Sequence, residues 1–127
     1  RLDEADKDRS GIARQLLISP VREGPGGEPA IDFGDVHVDL VRRVVERSGD
    51  NLHLTPIEYK LLTHLASQPD RVITHAQLLK AVWGPGHAED THYVRVHMAN
   101  LRKKVEGNAS MPQHLRTEAG IGYRFVP

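Results

Sequence analysis

The sequence predicts an α+β fold: an antiparallel sheet, then three helices, then a β-hairpin. Three observations predict it. Apolar and polar residues alternate with period two over residues 31–54, in "IDFGDVHVDLVRRVVERSGDNLHL". Two helix-start signatures and one long basic amphipathic stretch occupy residues 55–108. Two short apolar runs around a glycine-containing turn, in "HLRTEAGIGYRFVP", close the chain at residues 113–127. Period two is the signature of half-buried strands, and the 3.6-residue period that of helices packed on one side.

Each element has a local cause. Residues 1–30 read as a linker. Charge is dense over "RLDEADKDRS", one short helix or strand is expected around residues 12–18, and "VREGPGGEPA" packs Gly and Pro too tightly for a regular element. From residue 31, Ile31 and Phe33, then Val36, Val38 and Leu40, then Val44 and Val45, and finally Leu52 and Leu54 form the strands. Gly34-Asp35 and Ser48-Gly49-Asp50-Asn51 supply the turns. In "LTPIEYKLLTHLASQPD", Thr55 is placed to N-cap a helix, Pro56 suits its first position and Glu58 completes a capping box. Ile57, Leu61, Leu62 and Leu65 form its apolar stripe, and Pro69 stops it. "RVIT" reads as a brief extended link. Thr74 caps a second helix, which "GPG" ends, and Thr91 or Asp90 caps the third.

At about 100° per residue, Val94, Met98, Leu101 and Val105 of the third helix share a narrow sector and are assigned to the core. His92, Val96, Ala99 and Lys103 lie opposite, flanked by Arg95 and Arg102 on one side and Asn100 on the other. In the closing hairpin, Gly120 and Gly122 are both read as turn glycines free to take positive φ. Helices leading to a third with a polar outer face, then a hairpin, describe a winged helix-turn-helix. The predicted organisation is a linker over 1–30 and one domain over 31–127. Within that domain the sheet spans 31–54, the helical core 55–108 and the wing 113–127.

Composition bounds the function. Seventeen basic and 17 acidic residues cancel, but residues 91–127 hold six Lys/Arg against two Asp/Glu. A basic C-terminal third on a neutral chain is the electrostatic footprint of a face that meets phosphate. No stretch approaches the roughly 18 apolar residues of a membrane span. With no signal-peptide pattern and no cysteine, a cytoplasmic setting is expected. The chain begins with Arg rather than Met, as a piece of a longer protein would. Catalytic chemistry finds no support: there is no Cys, no G-x-S-x-G elbow and no P-loop, and Ser48, Ser67 and Ser110 sit in turns or at helix ends. No enzyme activity and no cofactor are expected. Among the eight histidines, His92 and His97 lie about 140° apart on one helix and cannot share an ion. His87 and His92 lack a third ligand, so no metal site is expected.

Taken together, "LTPIEYKLLTHLASQPDRVITHAQLLKAVWG", "VRVHMANLRKKVE" and "TEAGIGYRF" resemble the effector domain of OmpR/PhoB-type response regulators. The resemblance covers residues 31–127. The stretch "VWGPGHAEDTHYVRVHMANLRKKVE" is most similar to members that regulate potassium-transport genes. The resemblance implies sequence-specific binding of double-stranded DNA and control of transcription. It implies a phosphorelay in which a sensor kinase acts on a receiver domain absent from this chain, with effector domains pairing on direct repeats. Residues 91–106 would be the recognition helix in the major groove. Arg95, Val96, Ala99 and Asn100 match positions facing bases or nearby phosphates, and Arg102 matches a phosphate contact. Thr74, His75 and Trp83 match backbone-contacting positions. Thr117, Tyr123 and Arg124 belong to the wing beside the minor groove, and loop 84–90 matches a segment that touches RNA polymerase in some members. Two departures stand out. Some relatives carry two arginines where this chain has Ala99-Asn100, and some carry a minor-groove arginine at the position of Ala119, which shifts that role towards Arg116 or Arg124.

The side-chain chemistry agrees. Asn bonds bidentately to adenine, and Val or Ala meets a thymine methyl. Asn100 and Val96 are therefore the preferred base readers, while Arg95 suits either a guanine or a phosphate. Arg102, Lys103 and Lys104 suit phosphate. Trp83 and Tyr123 have competing roles as core or boundary packing. The alternative reading, favoured by the neutral total charge and the missing wing arginine, is a winged helix used for protein contact.

Overall fold

Period-two alternation builds the first layer. In the computed structural model, which describes residues 21–23, 29–86 and 90–127, five antiparallel strands lie in sequence order. They are β1 (Val21–Glu23), β2 (Pro29–Phe33), β3 (Val36–Asp39), β4 (Val44–Arg47) and β5 (Asp50–Asn51). Ile31, Phe33, Val36, Val38 and Val45 point into the core, while Asp32 is exposed and His37 and Glu46 are half-exposed. Strand β1 corrects the reading of residues 1–30 as linker throughout, since Val21, Arg22 and Glu23 pair with Ile31, Ala30 and Pro29. The physical reason is that the Gly and Pro density falls on residues 24–29, leaving Val-Arg-Glu free to extend against β2. The element expected around residues 12–18 lies outside the described residues.

Among the described residues, three helices form the second layer: α1 (Pro56–Ala66), α2 (His75–Val82) and α3 (Thr91–Val105). Their starts are set locally. The Thr55 hydroxyl accepts from the Glu58 N–H at 3.2 Å, and Glu58 Oε1 accepts from the Thr55 N–H at 3.0 Å. The same reciprocal box recurs between Thr74 and Gln77, at 3.1 and 2.9 Å, each box satisfying donors that the first turn leaves unpaired. Asp90, not Thr91, occupies the N-cap position of α3. Leu61, Leu62 and Leu65 of α1, Leu78 and Leu79 of α2 and the expected quartet of α3 are all buried against the sheet.

The wing sheet differs from expectation. "RVIT" is not a link but strand β6 (Val72–Thr74), pairing antiparallel with β8 (Gly122–Phe125), which pairs in turn with β7 (Leu115–Glu118). A β-branched run beside an unpaired hairpin edge completes a ladder that two strands alone leave open. Phe33 meets Phe125 edge-to-face with ring centroids 5.1 Å apart, joining the two sheets through the core.

Glu58 has a second role. It is only 3 % exposed and its carboxylate accepts from Lys104 Nζ at 2.6 Å, tying α1 to the last turn of α3. Burial by itself pushes this carboxyl up, but Lys104 and the Thr55 donors together hold it below the ordinary carboxylate range. A depressed folded-state pKa adds stability that is complete above the unfolded value and lost as pH falls through the folded one. Denaturant titrations between about pH 3 and 7 should therefore show a shallower acid loss for Glu58→Gln than for the parent. Identical pH slopes would contradict the assignment.

Candidate nucleic-acid interface

Helical period divides α3 into two faces. Val94, Met98, Leu101 and Val105 are buried, and His92, Tyr93, Arg95, Val96, Ala99, Asn100 and Lys103 are exposed. Val96 keeps 42 % of its surface in solvent. Among the described residues, the side chains of Arg95, Asn100 and Lys103 make no hydrogen bond or ion pair. An exposed helix face with unspent polar groups suits insertion into a groove.

Other basic groups of the region are spent internally. Arg102, matched above to a phosphate contact, instead turns to the wing. Its Nε and Nη2 donate to the Leu115 carbonyl at 2.9 and 2.7 Å, and Nη2 also donates to the Thr117 hydroxyl at 2.7 Å. Its guanidinium carbon lies 5.4 Å from the centre of the Tyr123 ring. Burial pulls the Arg102 pKa down, while Tyr123 and Glu106 oppose that shift. Arg102 is thus a tie between α3 and β7, and the Thr117 hydroxyl is occupied by it. Lys104 is held by Glu58. Arg124 pairs through Nη2 with Glu118 at 2.9 Å, whereas Arg116 is exposed and donates from Nε to the Gln113 carbonyl at 2.9 Å.

Three further groups frame the α3 face. Thr74 caps α2, and the half-buried His75 ring meets Tyr123 edge-on at 5.5 Å. Tyr123 is 4 % exposed, so its ring is core; burial raises its phenol pKa, which Arg102 and then Arg95 lower. Trp83, the C-cap of α2, is half-buried, stacked at 28° on Tyr93 and 5.5 Å from His97. The His75 N–H donates to the Ile121 carbonyl at 3.2 Å, pinning the wing turn to the start of α2.

Tyr93, Glu118 and Ile121 are absent from the sequence-derived site. An aromatic three residues before Val96 was the available signal for Tyr93. Glu118 gave none, because its pairing with Arg124 depends on hairpin register. Of loop 84–90, residues 87–89, including His87, lie outside the described residues.

Comparison with known proteins agrees with this geometry. Residues 49–125 match the family model described as transcriptional regulatory protein, C terminal. The KDP operon transcriptional regulatory protein KdpE of Escherichia coli is 48% identical over 99 residues, covering 78% of this chain and 44% of that protein. The DNA-binding response regulator MtrA of Mycolicibacterium smegmatis is 43% identical over 102 residues, covering 79% and 45%. The chain therefore spans less than half the length of these curated relatives. Among solved structures, the Klebsiella pneumoniae RstA DNA-binding domain in complex with RstA box superposes with a TM-score of 0.70 at 32% identity, covering 77% of this chain and 97% of that one. The family is a regulatory domain and not an enzyme, and the protein belongs to it: its chain is a C-terminal domain of the OmpR/PhoB-type transcriptional regulators.

Proposed function

We propose that this domain binds specific double-stranded DNA through α3 and so controls transcription, as the effector half of a two-component response regulator. The observation that carries the proposal is the exposed α3 face, where, among the described residues, the side chains of Arg95, Asn100 and Lys103 make no hydrogen bond or ion pair. With α3 in the major groove, Asn100 reads an adenine, Val96 and Ala99 meet thymine methyls, and Arg95 takes a guanine or the adjoining phosphate. His92 and Lys103 lie on the same exposed side and anchor phosphates. The start of α2, with the Thr74 and His75 side chains, and the Trp83 edge meet the backbone. Arg116, exposed and bonded internally through Nε, is the wing cation offered to phosphate, while Arg124 and Arg102 are half-buried and held in internal pairs.

The similarity to the KDP operon regulator KdpE, together with the resemblance noted in the sequence, supports potassium-transport genes as targets. By the same inference, a receiver domain and its sensor kinase control pairing on direct repeats, and loop 84–90 touches RNA polymerase.

The test is a binding series on single-base variants of the operator, located by footprinting upstream of the chain's own operon. Asn100→Ala should lose about 1–3 kcal/mol at one base pair and little elsewhere. Parent binding should fall steeply with added salt as counterions are released. An equal loss on every sequence removes the base-reading role. A folded protein that shifts no duplex at low salt favours protein contact instead.

A further inference from the structure

Between the end of α1 and the outer flank of α2 lies a groove of about 730 Å³ that the DNA-binding reading leaves unused. His64 lines it from α1, and Gln77, Lys80 and Ala81, spaced to share one side of a helix, line it from α2. Val72 and Ile73 of β6 run between the two helices.

Two properties of this groove select an occupant. The first is charge. Arg71 and Lys80 both line it, both are exposed, and no acidic residue lines it. Among the described residues the Lys80 ammonium has no partner, and Arg71 donates to a neutral acceptor, Gln68 Oε1, at 3.1 Å. Both positive charges are therefore uncompensated.

The second is an open strand edge. In the order β6-β8-β7, one edge of β6 has no strand beside it among the described residues. The Ile73 carbonyl faces β8 at Gly122, and the His75 N–H reaches Ile121 on that same side. The Thr74 N–H turns the other way, to Gln77 Oε1 at 2.9 Å. Alternation along an extended strand directs the Val72 N–H and C=O away from β8 as well, to the side where Gln77 lines the groove.

We propose that this groove docks an acidic, extended peptide segment of a protein partner, laid alongside β6. The peptide main chain bonds the Val72 edge, its carboxylates meet Arg71 and Lys80, and its apolar side chains cover Val72 and Ala81. A sugar-phosphate backbone would supply the negative charge, but neither a main chain for the strand edge nor an apolar side chain. With three residues in β6, the edge fixes the direction of the peptide and the two cations select its charge. The groove is lined by no residue of α3 and none of loop 84–90, so the site is separate from the base-reading residues proposed above.

The probe is a short fluorescein-labelled peptide of alternating Glu and Val, titrated into this chain and followed by anisotropy, with amide shifts recorded on the protein. Saturable binding that perturbs the Val72, Ile73, Thr74 and Lys80 amides is expected. Arg71→Glu combined with Lys80→Glu should weaken binding roughly 5- to 20-fold. Because both side chains are exposed, this variant should keep the parent melting temperature. The same peptide with Lys in place of Glu should not bind. N-methylation of one alternate set of peptide nitrogens, the set facing β6, should weaken binding several-fold, and methylation of the other set should not. No saturable binding, undiminished binding by the charge-reversed variant, or equal loss from both methylated sets overturns the proposal. So does displacement of the peptide by a short duplex for which the charge-reversed variant has lost affinity, since the groove then belongs to the path of the DNA backbone.

Discussion

Replacing Glu106 with alanine is expected to lower the melting temperature by roughly 10–20 °C, although this residue touches no proposed ligand. Glu106 follows the last turn of α3 and is only 4 % exposed. Its Oε1 accepts from the Gln113 N–H at 2.9 Å, and its Oε2 from the His114 and Leu115 N–H groups at 3.0 and 2.7 Å. One carboxylate thus closes the loop from α3 to β7. Arg47 assists from β4, donating to the Lys104 and Glu106 carbonyls at 2.9 and 3.2 Å. Alanine leaves three backbone donors without their acceptor, one of them at the buried start of β7, which costs about 3–5 kcal/mol. That is a large fraction of the 5–15 kcal/mol typical of a domain. Glu106→Gln keeps an acceptor oxygen and should fall between the two. Thermal unfolding followed by circular dichroism decides it; a shift of under about 3 °C for Glu106→Ala would show that solvent replaces the carboxylate freely.

Gly122→Ala should be at least as damaging, by about 3 kcal/mol or more. A Cβ at this position would lie 1.9 Å from the Ile73 carbonyl oxygen and 2.8 Å from the Thr74 Cα. Both are backbone atoms that no rotamer change can move aside, so β6 and β8 must separate where Thr74 pairs with Gly122. The sequence reading gave Gly122 a turn conformation. Positive φ belongs to Gly120 alone of the two, and Gly122 is required for close approach instead. Amide exchange should therefore rise along Val72–Thr74 and Gly122–Phe125 in the variant, with loss of protection at the His75 N–H. Unchanged exchange there would mean that the strands accommodate a methyl group.

What could be read from sequence divides by the range of the forces involved. The starts of α1 and α2 were legible because Thr55-Glu58 and Thr74-Gln77 cap within a single turn. The buried and exposed faces of α3 were legible because helical period alone sorts them. Strand β1 and strand β6 were not, since three residues carry too little pattern and each depends on a partner elsewhere in the chain. Arg102 was misjudged for a related reason. Its place on α3 was evident, but the direction of a long flexible side chain is set by the β7 carbonyl and hydroxyl it meets. Glu106 drew no role from the sequence, because it is the buried acceptor of a loop only where the chain folds back around it.

Trp83 is the chain's sole tryptophan, lodged between the end of α2 and the Tyr93 and His97 rings of α3. Its ultraviolet emission therefore originates from one known spot rather than an average over the protein. Engagement of the reading helix can be followed in real time without attaching a dye.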